Sequence, residues 1–233
     1  MPTSWTFQSI GVIRSCFPDK FGIPRQPSLA PHATAILTFN PPYHHADMVR
    51  NLAEYSHLWV QFVFHANLGR GWKPLVRPPR LGGNKHSGVW ATRSPFRPNP
   101  IGLSVVKLEH IELSPLLCLY LSGVDMMDNT PVLDIKPYIG FIDHIPSALS
   151  GCAEAPPPLL PVLFHPEAEQ ACQQYNLTYP HLRALIIEVL QQNPRPAYMR
   201  DTSRIHGTHL YHFNILWKIT QNRVEVLAIE ARI

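Results

Sequence analysis

Proline constrains this chain more than any other residue, occupying 25 of 233 positions, roughly twice the usual ~5% share. A proline inside a helix removes a backbone donor and drives its ring into the preceding turn. Helix bundles and coiled coils are therefore excluded. The chain should be rich in strands and loops, with prolines in connections and at strand ends. Hydrophobic residues make up 45% of it and charged residues 15%, which supplies a core and departs from the apolar-poor, highly charged signature of disorder. The length suits one large domain or two ordinary ones.

No apolar run reaches the ~18–20 residues of a membrane span. Met1-Pro2-Thr3-Ser4-Trp5 lacks the basic-then-apolar pattern of a signal peptide. Cys16, Cys118, Cys152 and Cys172 are far apart, with no C-x-x-C pair, and read as free thiols of a reducing compartment. The expectation is a soluble, cytoplasmic protein without a metal centre. His206, His209 and His212 recur every three residues, which on a strand puts His209 opposite the other two. There is no G-x-G-x-x-G, Walker loop or H-E-x-x-H.

Charge is unevenly placed. From Tyr55 through Leu108, 54 residues contain no Asp or Glu but carry Arg70, Lys73, Arg77, Arg80, Lys85, Arg93, Arg97 and Lys107. Trp59, Trp72, Trp90 and Phe96 lie among them. A solvated basic loop would explain one arginine, whereas eight bases without an acid point to a polyanionic partner, nucleic acid first. Arginine outnumbers lysine fourteen to six, which suits bidentate phosphate contacts and base stacking.

The pattern predicts strands over 7–14, 34–39, 58–64, 89–92, 102–113, 117–123 and 132–139, with a short helix at 47–55. Such a meander suggests a barrel or sandwich. The proline-rich stretch 146–163 reads as a linker. Beyond it, 167–175 and 181–192 are helical by pattern, and 211–229 reads as a hairpin. The fold class is mainly β: a barrel or sandwich over 1–145, then a smaller α+β domain over 164–233.

The most informative segment is Ala91-Thr-Arg-Ser-Pro-Phe-Arg-Pro-Asn-Pro-Ile-Gly102, where three prolines stiffen a loop holding two arginines four apart. Rigid, strand-anchored polar loops suit binding sites, although a stiff connector with surface arginines has the same composition. Pro24-Arg-Gln-Pro27 and the acid-bearing run from Asp125 to Tyr138 have similar character.

These segments, with Ser56-His-Leu-Trp59, Val76-Arg-Pro-Pro-Arg-Leu-Gly-Gly83, Asn193-Pro-Arg-Pro-Ala-Tyr198 and Leu210-Tyr-His-Phe-Asn214, closely resemble the TsaA-like domain and tail of the TrmO family of tRNA (adenine-N6)-methyltransferases. The likeness spans nearly the whole chain. It implies a small β-barrel (TsaA-like) that uses S-adenosyl-L-methionine to methylate threonylcarbamoyladenosine beside the anticodon of a threonine tRNA. It also implies a homodimer with cofactor near the subunit interface. Cofactor contacts would fall to Gln26, Pro27, Ser28, His65, Ala66, Arg93, Leu103, Asp134, Ile135 and Lys136. Arg77, Arg80 and Arg97 then remain for the tRNA anticodon loop. One departure stands out: the family's Asp-Gly-Thr-Pro turn is Asp128-Asn-Thr-Pro131 here, and asparagine tolerates left-handed backbone angles. Asp134 and His65 are candidate bases for the urea-like acceptor nitrogen, and Asp134 or Asp125 could face a sulfonium. The alternative is a non-catalytic RNA-binding barrel that keeps the basic face without the chemistry.

Overall fold

The computed structural model describes residues 4–195 and 204–232. Pro196, Ala197 and Tyr198 of the tail motif lie outside the described residues. In chain order the strands are β1 (Gly11–Ser15), β2 (Thr34–Phe39), β3 (His57–Val63), β4 (Leu75–Val76), β5 (Ser87–Gly88), β6 (Ile101–Glu112), β7 (Cys118–Ser122), β8 (Thr130–Pro137), β9 (Val162–Phe164), β10 (His206–Leu210), β11 (Phe213–Thr220) and β12 (Arg223–Ala231). The α-helices are α1 (Gly140–Asp143), α2 (Pro166–Gln174) and α3 (Leu182–Leu190).

Six strands close into a barrel in the order β1-β2-β7-β6-β3-β8. Its neighbours are all antiparallel, and β8 closes the ring by pairing with β3 on one side and β1 on the other. Alternation drives the packing: Leu58, Val60 and Phe62 of β3 are buried inside, with Ile13, Leu37, Val106, Leu119 and Val132 from the neighbouring strands. Trp59, Gln61 and Val63 take the outer face and stay half-buried. The almost unbroken apolar run of β3 thus serves two surfaces, the core and an outer depression.

Two local expectations are corrected. The helix expected over 47–55 is two short 3₁₀ turns, Ala46–Val49 and Leu52–Glu54, separated by Asn51 with φ of 64°. A left-handed residue cannot continue a right-handed helix. The strand expected at 89–92 is a 3₁₀ turn, Val89–Ala91, because ladder pairing there stops after the short β4–β5 pair.

The C-terminal unit is a sheet ordered β10-β11-β12-β9, with β9 parallel to β12. The first strand of this sheet begins inside the 146–163 stretch. The apolar stripe of α3 (Leu182, Leu185, Ile186, Val189, Leu190) is buried in the same core as Phe213, Ile215 and Trp217. Trp217 Nε1 donates to Thr208 Oγ1 at 2.8 Å, which satisfies its buried donor. The two units are joined by Tyr211 N donating to Cys16 O at 2.8 Å, by the Asp19–His209 and Glu188–His32 pairs, and by Phe21 stacked on Trp217. The cysteines are unpaired, and burial pushes the Cys16 thiol up to about 12 and that of Cys172 to about 11.

Gly102 is one place where the barrel admits no side chain. A Cβ there would sit 2.2 Å from Phe62 Cζ, and two further ring carbons are within 2.7 Å. Gly102→Ala should therefore destabilise the protein by about 1–3 kcal/mol, as overpacking does. Denaturant unfolding checks this, and adding Phe62→Leu should restore part of the loss.

Candidate active site

A cleft of about 490 Å³ opens at one end of β3 and β6, within the ~300–1,000 Å³ range of small-molecule sites. Its apolar wall includes Trp59, Phe62, Phe64 and Leu103, with Phe62 and Phe64 edge-to-face at 5.2 Å. Four connections supply most of its polar groups: the β1–β2 connection, the 3₁₀ turn His65–Arg70 that follows β3, the arginine-proline loop before β6, and the β7–β8 connection with Asp125.

Those loops are cross-tied. Arg93 Nη1 donates to Gln26 Oε1, joining two segments 67 residues apart. Lys20 Nζ donates to Ala66 O at 2.6 Å and to Asn67 Oδ1 at 2.7 Å. His65 Nδ1 lies 3.4 Å from Thr130 Oγ1. The segment carrying Gln26 is anchored one turn on, where Ser28 N donates to Gly123 O at 2.9 Å and Ser28 itself has φ of 64°. Arg97 Nη1 donates to Thr92 O at 2.7 Å and to Val89 O at 3.3 Å, so it braces the loop that displays Arg93.

Gln26, His65, Ala66, Arg93 and Leu103 line this single cleft, as does Arg97. Pro27 and Ser28 are adjacent but off its lining. Asp134, Ile135 and Lys136 lie on β8, also outside the lining. Register nevertheless links them to it: Gln61 pairs with Leu103 on one side and Asp134 on the other, and Trp59 pairs with Lys136. Directly opposed residues share a face. Leu103, Gln61 and Asp134 thus form a row across the outer barrel, beside Trp59 and Lys136, continuous with the cleft edge. Asp134 is half-exposed and ion-paired with Lys136 at 2.9 Å.

Among the described residues, Asp125 is the sole carboxylate lining the cleft. Ser104 Oγ donates to its Oδ1 at 2.6 Å. Burial pushes the Asp125 carboxyl up to about 6, against the opposing influence of the Ser104 hydrogen bond and the Arg93 charge. Sequence reasoning marks Asp125 within an acid-bearing turn but carries no signal for Ser104 or Lys20. A serine in a strand and a lysine in a glycine-proline loop look ordinary until the barrel closes.

Arg77 and Arg80 lie apart from the cleft on the exposed 70–90 segment. Arg77 Nε donates to His86 Nε2 at 3.1 Å, and Arg80 Nη1 to Ala155 O at 2.6 Å. Trp72 and Trp90 on the same segment are 60% and 80% exposed, which leaves aromatic faces available beside cations.

The chain is similar to known proteins in sequence and in fold. Two family models match: the tRNA-methyltransferase O N-terminal domain over residues 12–144 and the TrmO C-terminal domain over 157–232. A tRNA (adenine(37)-N6)-methyltransferase of Escherichia coli K12 is 45% identical over 234 residues, covering 99% of this chain and 100% of the relative. A Pseudomonas aeruginosa protein described as a putative S-adenosylmethionine-dependent methyltransferase is 44% identical over 211 residues, or 89% and 90% of the two chains. The crystal structure of TrmO from Pseudomonas aeruginosa superposes with a TM-score of 0.83 at 37% identity, covering 98% of this chain and 99% of that one.

Asp125 has a measurable signature. Its carboxyl holds a proton more tightly folded than unfolded, so the native state binds more protons between about pH 4 and 6. Stability from this group is full below about pH 4 and is lost as pH rises through about 6. Asp125→Asn removes that dependence and should be the more stable protein at pH 7, by on the order of 2 kcal/mol. Parallel urea titrations of both proteins at pH 4.5 and 7 check the sign; equal pH slopes would contradict it.

Proposed function

The chain belongs to the TrmO family, and on that premise we propose that it is a tRNA (adenine-N6)-methyltransferase using S-adenosylmethionine to methylate the exocyclic amine of threonylcarbamoyladenosine beside the anticodon of a threonine tRNA. One observation carries this reading. Gln26, His65, Ala66, Arg93 and Leu103, scattered along the sequence, converge on one cleft that also holds a buried carboxyl.

The residues fit the cofactor's chemistry. Arg93 and Lys20 suit its carboxylate, the Phe64 ring its adenine, and Asp125 its cationic centre. Bound there, the cofactor supplies an electrophilic methyl group on a sulfonium. The chain's own tasks are alignment and exclusion of water. The proline-stiffened loop and the Arg97 brace hold Arg93 in place, and the aromatic wall keeps the cleft dry. The acceptor nitrogen is urea-like and must shed its proton, a task for a base at the cleft. His65 and Asp125 line it, while Asp134 stands on the adjoining outer row.

Arg77 and Arg80, with Trp72 and Trp90 nearby, make the face that receives the anticodon loop, the target base being splayed from its stack. The barrel of 1–145 carries the chemistry, and 164–233, reached through 146–163, grips the anticodon arm. A homodimer is favoured by Ile139, Phe141, Ile142, Ile145 and Leu149, apolar side chains exposed together just beyond β8. Acting on tRNA, the protein works in the cytoplasm.

The decisive test is mass spectrometry of tRNA nucleosides from a strain lacking the gene, in which methylated threonylcarbamoyladenosine should disappear. Undiminished modification would sink the proposed substrate. With purified protein, S-adenosylmethionine should give a saturable thermal shift; no shift at millimolar cofactor leaves a non-catalytic RNA-binding barrel. Arg93→Ala should raise the cofactor Kd about tenfold, the loss of one charged hydrogen-bonding partner. Arg80→Ala should weaken tRNA binding and leave the cofactor Kd alone. Equal losses of both affinities in each variant would contradict this division.

A further inference from the structure

Among the described residues, four permanent cations line the cleft: Lys20, Arg25, Arg93 and Arg97. Three of them are engaged. Lys20 Nζ donates to Ala66 O and Asn67 Oδ1 in the turn after β3. Arg93 holds Gln26, and Arg97 holds two backbone carbonyls of its own loop. Among the described residues, Arg25 is the one of the four with no hydrogen-bond or ion-pair partner. It stands at the mouth, exposed to solvent on one side and lining the cleft on the other. Partial burial, and then the charge of Arg80, draw its guanidinium below the usual range. An anion at this head group relieves both penalties.

The backbone under Arg25 is restricted before any ligand arrives. Pro24, itself buried, fixes φ on one side, and Gln26 on the other is confined by the proline that follows it. Gln26 is also tied to Arg93, and Ser28 N to Gly123 O. A stiff segment that carries an unengaged guanidinium to a cleft is a preorganised recognition element. The planar fork of a guanidinium matches a carboxylate or a phosphate, bound through two parallel hydrogen bonds.

Threonylcarbamoyladenosine differs from adenosine by a group that ends in a carboxylate, a few bonds from the nitrogen that receives the methyl. With that nitrogen in the cleft, the carboxylate comes to rest close by, where leaving it unpaired is costly. We propose that Arg25 binds the threonyl carboxylate of the acceptor nucleoside and so selects the threonylcarbamoylated base over plain adenosine. The inference rests on the function above and adds to it the residue that reads the substituent. Arg93 and Lys20 serve the cofactor's carboxylate in that reading, so the cleft's cations divide two carboxylates between them. A site built around a charged partner rejects the analogue that lacks it far more strongly than an apolar pocket can.

The test uses one tRNA sequence in two forms, carrying threonylcarbamoyladenosine or the same nucleoside with its carboxyl converted to the neutral amide. Methylation kcat/KM is measured on each with the full-length wild type, Arg25→Gln and Arg25→Lys, together with the S-adenosylmethionine Kd of each protein. The wild type should favour the acid over the amide by about 10- to 100-fold, the range for a hydrogen bond to a charged group. Arg25→Gln should lose that preference by slowing on the acid form, the amide form changing by less than about twofold. Arg25→Lys should recover part of the preference, because an ammonium keeps the charge without the paired geometry. Each ratio is taken within one protein preparation, so a partly misfolded fraction cancels from it.

Equal losses on the two tRNAs in Arg25→Gln overturn the proposal and mark a phosphate contact, which does not read the base, or a structural role. An acid preference that survives Arg25→Gln overturns it as well. A rise in the cofactor Kd that accounts for the whole loss assigns Arg25 to the cofactor's carboxylate, the other source of this chemistry, and overturns the proposal. A wild type that methylates acid and amide alike overturns this inference and leaves the function standing. One that methylates neither overturns both.

Discussion

Closure of the barrel through β8 is the constraint on which the site depends. A strand paired on both sides leaves no open ladder edge, and β8 has Val60 and Gln61 of β3 opposite Ile135 and Asp134, with Gly11 to Ile13 of β1 opposite Val132 to Thr130. The turn leading into it is fastened to β1 and its exit loop. Asp128 N and Asn129 N donate to Phe17 O and Ile13 O, and Ser15 N donates to Asp128 Oδ1. Once that turn is fixed, Asp125 must dive toward Ser104 just before it, and Asp134 must fall on the outer row just after. A slip of one residue would reverse every side chain on the strand. Carboxylates at 125 and 134 owe their different settings, one lining the cleft and one on the outer row, to one register.

The same dependence separates what the sequence discloses from what it hides. Thr34–Phe39 is a strand with the expected bounds, and the stripe of Leu182, Leu185, Ile186, Val189 and Leu190 is buried as its spacing implies. Asn129 adopts the left-handed angle expected of an asparagine standing for glycine. These features are local or strongly periodic. By contrast, β10 reads His-Gly-Thr-His-Leu, too polar to announce a strand, and β9 is three residues at the end of a proline run. Each exists because β11 or β12 offers it a ladder. The short helix expected at 47–55 fails for the opposite reason, since one residue at 51 interrupts a valid apolar spacing. Individual cleft residues were legible through motif resemblance, while the burial of Asp125 follows only from tertiary closure.

Proline now has a specific place in this architecture. Pro24 and Pro95 line the main cleft, with Pro27, Pro98 and Pro100 beside them. Pro131 and Pro137 lie at the two ends of β8, near where pairing begins and stops. Rings that fix φ reduce the freedom a loop must lose when it orders around a ligand. The Arg93–Gln26 and Arg97 contacts act on loops already restricted in this way.

The buried thiols carry a consequence for chemoselectivity. A protein that handles an alkylating agent risks alkylating itself, and thiolate is the most reactive nucleophile its side chains offer. Among the described residues, no cysteine lines the cleft. Cys16 and Cys172 are held as protonated thiols in the packed interior, so at neutral pH they present almost no anion to attack an electrophile. The packing that locks the C-terminal unit onto the barrel at Cys16 thereby also withholds that sulfur from an electrophile.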